Sequence, residues 1–446
     1  MRFSSDHANF SRPQSAISTR GLRGARWVLR VAPVAVFAAI VLLYTGRSPA
    51  VRTIMNFWAI HPPVDHPFLD LRYIFAGAEC WAKGIDVYIA NPCDPLGRPH
   101  GYSPLWLRFA FLPGQQWTTV AGLVVDGLFV LALAALPPLQ RWCELPIRLL
   151  AILSPPVIFA LQRANVDVIM FLMLLGAAGL WVRLLPHRIA GYALILAAGL
   201  LKFYPLIVLA TALRERTRVC VMVGAAAGGT LLGFAIYFRS ELHAMAANIP
   251  TGGYLVGDMF GAKNLPYGLA SILGLPESSW FKIVAGAVLA ASCAVAMLTL
   301  SRWNALRSAV AGLASFEAAL LLFGAVVFVG CFVTGQSVGY RGIHLLLVLP
   351  GLLALWRGAA DTCVKHFARS ATFLVLFLMW QGALTWNDSF LTALQAWFGA
   401  SAGAGLWAGL WLIRELGWWA LAAALGGIFL GFAREAPAVS RLFAGG

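Results

Sequence analysis

An all-α, polytopic membrane bundle is the fold class this sequence predicts, and three observations predict it. Of the 446 residues, 60% are hydrophobic and only 11% are charged, with a mean hydropathy of +0.78, far from the soluble average. Apolar runs of about 20 residues recur along the chain, the length that crosses a bilayer as a helix. The basic residues behind the net charge of +15 punctuate those runs instead of forming a stripe. That pattern points to membrane topology and away from nucleic acid.

In chain order the spans fall near 27–45, 117–137, 147–162, 166–185, 219–238, 279–300, 312–333, 342–356, 370–387 and 413–433. Segment 189–213, IAGYALILAAGLLKFYPLIVLATAL, has one helix's worth of residues but basic flanks at both ends: Arg183 and Arg188 before it, Arg214, Arg216 and Arg218 after it. Positive flanks are retained in the cytoplasm, so both belong on one side. The segment therefore predicts a broken hairpin of two half-spans turning at Lys202-Phe203-Tyr204-Pro205, where Pro205 removes a backbone donor. The Ser- and Arg-rich residues 1–26 read as a disordered cytoplasmic tail, 27–433 as the membrane domain, and 434–446 as a second cytoplasmic tail. No small-residue cleavage motif follows the first span, which reads as an uncleaved anchor. Two external loops remain, 46–116 and 239–278, on the outer face of the cell's inner membrane.

The first external loop gathers Asp65, Asp70, Glu79, Asp86 and Asp94, with further external acids at Asp167, Asp258 and Glu277. Apolar positions at Leu71, Ile74, Phe75, Ala78 and Trp81 predict a helix over 68–83 lying on the membrane surface, with Asp70 in its first turn. There Asp70 is either a chemical group or an acid that merely suits the positive helix end. Of seven cysteines, five lie in or beside spans; Cys80 and Cys93 share the external loop and are candidates for a disulfide. The second external loop, rich in Gly and Pro, suits a lid, an acceptor surface or a plain connector. Arg341 and His344, three residues apart at the start of a span, share a helix face. Arg341 suits a lipid phosphate or a snorkelling anchor, and His344 a general base or a satisfied interfacial group. Lys202 in mid-run marks a functional or cavity-lining position by default, because a buried ammonium is costly. Trp407, Trp411, Trp418 and Trp419 read as an interfacial aromatic belt with Arg414 and Glu415 among them. Asp126 and Glu317 lie within spans, facing the bundle interior.

Across roughly residues 65–355 the order of several short motifs resembles the family 87 membrane glycosyltransferases, GT-C-class enzymes that include polyprenyl-phosphate-mannose-dependent mannosyltransferases. DLRYIFAGAECWAKGIDVY is similar to the family's acidic residue, aromatic-rich helix, Gly and Tyr. GYSPLWLRFAFLP resembles its Tyr-x-Pro segment, LQRANVDVIMFLMLL its Gly-x-x-Asn turn, AAGLLKFYPLIVL its Lys-x-x-Pro element, and GQSVGYRGIHLLLVLP its Tyr-Arg motif. The match departs at Arg163-Ala164, where the family pattern leads one to expect a glycine before Asn165.

The resemblance implies a GT-C-type fold and inverting transfer of a sugar, mannose by default, from a polyprenyl-phosphate carrier to a glycolipid or envelope glycan outside the cytoplasmic membrane. It implies Asp70 as the general base, with His344 as rival. Arg341 and Lys202 would neutralise the departing phosphate, and Tyr102, Asn165 and Tyr340 would contact sugar or acceptor. No Asp-x-Asp pair stands in the external loops, so no metal or other cofactor is expected. A lipid or sugar transporter or flippase is one alternative, since interrupted helices and buried charge suit it. An O-antigen ligase- or polymerase-like enzyme is another.

Overall fold

The computed structural model describes residues 19–45, 55, 57–58, 60, 67–109, 114–249, 252–255, 259–276, 278–385 and 388–439. The tail before residue 19, Asp65, Asp258, Glu277 and the last residues of the C-terminal tail lie outside the described residues. The fold is an all-α bundle. Among the described residues eight helices are long and apolar enough to cross a membrane: Gln115–Ala135, Glu144–Gln162, Thr217–Tyr237, Phe281–Arg302, Ser315–Thr334, Gly339–Gly358, Thr362–Gly382 and Ala400–Glu435. Among the described residues the β structure is one antiparallel pair, β1 (Met259–Phe260) with β2 (Ser337–Val338).

Helix α1 (Thr19–Thr45) begins inside the segment that the sequence assigned to a disordered tail. Arg20, Arg23 and Arg26 are good helix formers, so the helix extends beyond its apolar run at little cost. The loop that follows carries α2 (Leu69–Ala82) and the short α3 (Leu105–Arg108). Next come α4 (Thr118–Ala132), α5 (Glu144–Ile152), α6 (Pro155–Gln162) and α7 (Val166–Trp181). Beyond the hairpin lie α8 (Leu185–Leu201), α9 (Thr217–Tyr237), α10 (Arg239–Ala247) and α11 (Asn264–Ile272). The last part of the chain forms α12 (Phe281–Arg302), α13 (Asn304–Ala311), α14 (Ser315–Thr334), α15 (Leu345–Gly358), α16 (Thr362–Thr385), α17 (Asp388–Phe398) and α18 (Ala400–Glu435).

The centre is α14 against α15. Their apolar stretches are 78% buried inside the protein, against 11% for α9 and 6% for α12. Hydropathy does not sort the two pairs, α15 being the least apolar of the four, so packing separates core helices from those with a free flank for lipid. Close approach makes the difference: a Cβ on Gly324 would stand 2.6 Å from Val348, and one on Gly351 2.6 Å from Leu321. Small residues that let backbones meet are the usual basis of helix association in lipid.

The broken hairpin forms. Helix α8 ends at Leu201, Lys202 is extended (φ −155°, ψ 105°), and Tyr204–Arg214 returns as a 3-10 helix with Pro205 in its first turn. Both flanks meet at one end: Arg188 holds Glu215 through two bonds of 2.7 and 2.8 Å, and Tyr192 donates to the same carboxylate at 3.0 Å. Neither arm is as long as a full span. Seventeen residues of α-helix rise about 25 Å, and eleven of 3-10 helix, at about 2 Å each, rise about 22 Å. The steeper rise lets a short run cover nearly the same height, so Lys202 reaches the level of the first turn of α7.

Helix α2 occupies almost the predicted range but does not lie on a surface. Leu69, Asp70, Leu71, Tyr73, Ile74, Phe75, Ala76, Gly77 and Cys80 are buried, because the chain from 85 to 109 folds back over it and the start of α7 lies beneath. A Cys80–Cys93 disulfide ties that cover to the end of α2. The two external loops also lock together: Asn248 donates to Tyr88 O at 2.8 Å, and Arg108 meets Glu241 at 2.6 Å. The last span starts well before 413, so Trp411 and Trp418 are buried rather than interfacial, as are Arg414 and Glu415, which pair with each other. Trp418 stacks on Phe260 at 4.8 Å and Phe328 at 5.8 Å.

Candidate functional site

The folded-back first loop, the turn before α7, the tip of the hairpin and the start of α15 converge at one end of the bundle. The local cause at the centre is a helix start. Asn165 caps α7, its Oδ1 accepting from the Asp167 amide at 2.9 Å, which satisfies an otherwise orphaned N–H. The chain reaches that cap through Ala164 at φ 42°, a left-handed conformation that glycine takes more readily. The cap is thus entered through a left-handed turn without a glycine.

Asn165 then joins two carboxylates. Its Nδ2 donates to Asp70 Oδ2 at 2.6 Å, while its Oδ1 also accepts from Lys202 Nζ at 3.3 Å. Asp70 Oδ1 lies 3.3 Å from Arg163 and 3.5 Å from Arg98. Arg98 is itself held by Asp94, with bonds of 2.9 and 3.0 Å, and lies over the Tyr73 ring at 4.5 Å. On the other side, Lys202 Nζ meets Asp167 Oδ1 at 3.0 Å, and Tyr204 donates to the same oxygen at 2.5 Å. Asp167 Oδ2 has no hydrogen-bond partner among the described residues; Arg341 Nε stands 4.0 Å away. The ammonium of Lys202 is ringed by Tyr102 at 5.3 Å, Tyr340 at 5.4 Å and Tyr204 at 6.0 Å. Arg341 lies over the Tyr204 ring at 5.2 Å and donates to Ser337 Oγ at 2.8 Å.

Of the residues marked in the sequence, Asp70, Tyr102, Asn165, Lys202, Tyr340 and Arg341 come together. His344 stands one layer behind. Its Nε2 shares a 2.6 Å hydrogen bond with Tyr204 OH, its ring stacks with Phe171, and it is 2% exposed. It therefore reaches the carboxylates only through Tyr204. Arg341 and His344 share a face of a 3-10 turn, Gly339–His344, in which i and i+3 side chains eclipse.

Four contributors escaped the sequence reading as site residues: Asp167, Tyr204, Arg98 and Arg163. Asp167 reads there as one more external acid, although its place two residues after Asn165 puts it in the first turn of the same helix. The roof of the site is aromatic. Tyr73 donates to Pro99 O at 2.5 Å and accepts from the Gly101 amide at 2.6 Å, and burial pushes its phenol up to about 12. His100 is enclosed by Tyr73, Tyr88 and Tyr102, and burial pushes its imidazole down from 6.5 to about 4.

Counting formal charge, four cations (Arg98, Arg163, Lys202, Arg341) face three carboxylates (Asp70, Asp94, Asp167). The cluster is one positive charge in excess, which favours an anionic ligand beside a carboxylate able to accept a proton. No protein-family model, curated protein or solved structure matches the chain.

Proposed function

We propose that this protein is a GT-C-type membrane glycosyltransferase of about ten spans plus the hairpin, working on the outer face of the inner membrane. It would move a sugar, mannose by default, from a polyprenyl-phosphate carrier to a glycolipid or envelope glycan. One observation carries the reading. Residues from five distant segments, singled out by residue type and order, form one cluster in which Asp70 lies an asparagine's width from Lys202 and Asp167.

The chemistry follows from that arrangement. The acceptor hydroxyl oxygen attacks the anomeric carbon as its proton passes to Asp70, and the bond from that carbon to the phosphate oxygen breaks on the opposite face. The phosphate keeps the electron pair and gains a second negative charge. Lys202 and Arg341 are the groups to meet that charge, preorganised by Asp167 and by the tyrosine rings. Asn165 and Arg163 fix the orientation of the Asp70 carboxylate, and Tyr102 and Tyr340 flank the space where sugar would lie. His344, behind Tyr204, serves the position of that phenol and not proton abstraction from the acceptor.

The test is sugar transfer by purified protein in nanodiscs, given radiolabelled polyprenyl-phosphate mannose and mixed envelope lipids, with Asp70→Asn beside the parent. Transfer by the parent and its loss in the variant is the expected result. Transfer by both would remove Asp70 from the base role. No transfer by the parent, with donor lipid still bound and moved between leaflets, would favour the second reading, a lipid transporter, to which the interrupted hairpin at Lys202 also lends itself.

A further inference from the structure

We infer a second lipid-binding site, for an anionic phospholipid, at the end of the bundle opposite the Asp70 cluster. The step from His344 to Arg357 along α15 is about 20 Å, so the two sites are separate. Where α15 ends and α16 begins, a cavity of about 270 Å³ is lined by Arg141, Trp356, Arg357, Lys365, His366 and Arg369. It adjoins a more open space of about 610 Å³ that shares His366 and Arg369 and continues along Phe373, Leu374 and Phe377. One compartment is cationic and the other has an apolar flank at Phe373, Leu374 and Phe377, and Arg369 stands at their boundary, 6.0 Å over Trp356 and 5.9 Å over Phe373.

Not every cation there is free to act. Arg357 is committed to Glu144 at 2.7 Å and Glu317 at 3.5 Å, and Arg148 lies 3.8 Å from Glu144. Asp361, the other nearby carboxylate, caps α16 by accepting from the Cys363 and Val364 amides at 2.7 and 3.1 Å. Among the described residues Arg141, Lys365 and Arg369 have no carboxylate partner. Three unmatched cations around a pocket that opens onto Phe373, 49% exposed, and Phe377, 37% exposed, match an anion covalently attached to hydrocarbon. The headgroup phosphate fits the smaller, cationic compartment and an acyl chain the aromatic flank. Basic pockets between spans on the positive side of a membrane protein recognise anionic headgroups by this chemistry. A free phosphate would use the cations but leave the apolar flank without purpose.

The test is native mass spectrometry and thermal unfolding of the full chain. The protein would be placed in phosphatidylcholine alone, in an equal mixture of phosphatidylcholine and phosphatidylglycerol, or in phosphatidylcholine with inorganic phosphate. Expected is retained phosphatidylglycerol and a raised unfolding midpoint in the mixture alone. The combined variant Arg141→Gln, Lys365→Gln, Arg369→Gln should weaken that binding by on the order of a hundredfold, roughly fivefold per cation. The control Arg216→Gln, Arg218→Gln, which removes two exposed cations elsewhere on the same side, should bind as the parent does. If the triple variant does not fold, Lys365→Gln alone carries the same expectation at roughly fivefold. Equal retention of both lipids by the parent, undiminished binding in the variant, or a midpoint raised equally by inorganic phosphate would each overturn the proposal.

Discussion

The two ends of this bundle both bury carboxylates against arginines, and they do it to different effect. At one end Glu144 is fully engaged: Arg357 at 2.7 Å, the Gln140 amide at 3.0 Å, Arg148 at 3.8 Å, with Glu317 completing the tie. These groups close the ends of α5, α14 and α15 on one another. At the other end, polar groups are held but not exhausted. Asp167 Oδ2 and Arg341 Nε face each other at 4.0 Å without a hydrogen bond, His344 Nδ1 has no partner among the described residues, and Ala164 sits in a left-handed turn. Native folds rarely leave buried polar atoms unmet, and each such atom asks for an explanation. The clamp also leaves Arg148 Nε unmet, so what separates a site from a clamp is the spare carboxylate oxygen of Asp167 together with the local strain at Ala164.

The sharpest way to break that comparison is to neutralise one carboxylate at each end and read both activity and stability. Asp70→Asn keeps the shape and hydrogen bonding of the side chain but removes the proton acceptor. Transfer should fall by about 10²–10⁴-fold, the usual contribution of a general base, with the unfolding midpoint little changed. Lys202→Met should lower kcat more than it raises KM for the donor, because its charge is needed most as the phosphate leaves. Removing it also leaves Asp167 buried without its nearest cation, so some stability will go with it.

Glu144→Ala should behave in the opposite sense. Arg148 would be left without its carboxylate and Arg357 with Glu317 alone, and breaking a buried pair in this way costs about 3–5 kcal/mol. Protein yield and unfolding midpoint should drop while the transfer rate per folded molecule stays near that of the parent. Loss of turnover with unchanged stability would erase the distinction between the two ends.

A smaller effect is written into the roof of the site. The His100 imidazole has its pKa lowered in the fold to about 4 from 6.5, so between those values the unfolded chain binds more protons than the folded one. Stability is then fully present above about pH 6.5 and is lost as pH falls toward 4, by about 3 kcal/mol across the window. His100→Phe should flatten that part of the pH profile of the unfolding midpoint. A profile of unchanged slope would mean that the imidazole is not held neutral by its tyrosine enclosure.

Much of this was legible in the chain. The helical class and most spans follow from apolar length, and the hairpin from basic flanks with Pro205 between them, because both are local properties. Lys202 stood out as a charge in an apolar run, where polarity is expensive, Asp70 by its place in a carboxylate-rich loop, Arg341 by its place at the start of a span, and Asn165 through the family resemblance. Asp167 did not, since beside a span it looks like any loop acid; its meaning comes from Lys202 and Tyr204, both 35 or more residues away, and pairing at that range leaves no spacing to read. His344 was legible as a residue but not as a position behind Tyr204. The buried Trp411 and Arg414 were misplaced for a related reason: tryptophans near a span end suggest an interface, and the Gly- and Ala-rich run that prolongs α18 beyond them carries little hydropathy of its own.

The finest test of the comparison concerns Ala164. A left-handed residue other than glycine costs about 1–2 kcal/mol, and Ala164→Gly would relieve it. The alanine methyl is also fully buried beside Phe68, Leu71 and Met170, and deleting one buried methyl loses about 0.8 kcal/mol. The two nearly cancel, so the glycine variant should match the parent within about 1 kcal/mol in thermal unfolding and keep its transfer rate. Ala164→Val meets the same backbone with a β-branched side chain that resists it, and should lower both stability and activity as the Asn165 cap is pulled off Asp70 and Lys202. If glycine proved the more damaging of the two, the methyl contact and not the turn would set the geometry there, and the strained approach to Asn165 would lose its claim to mark the site.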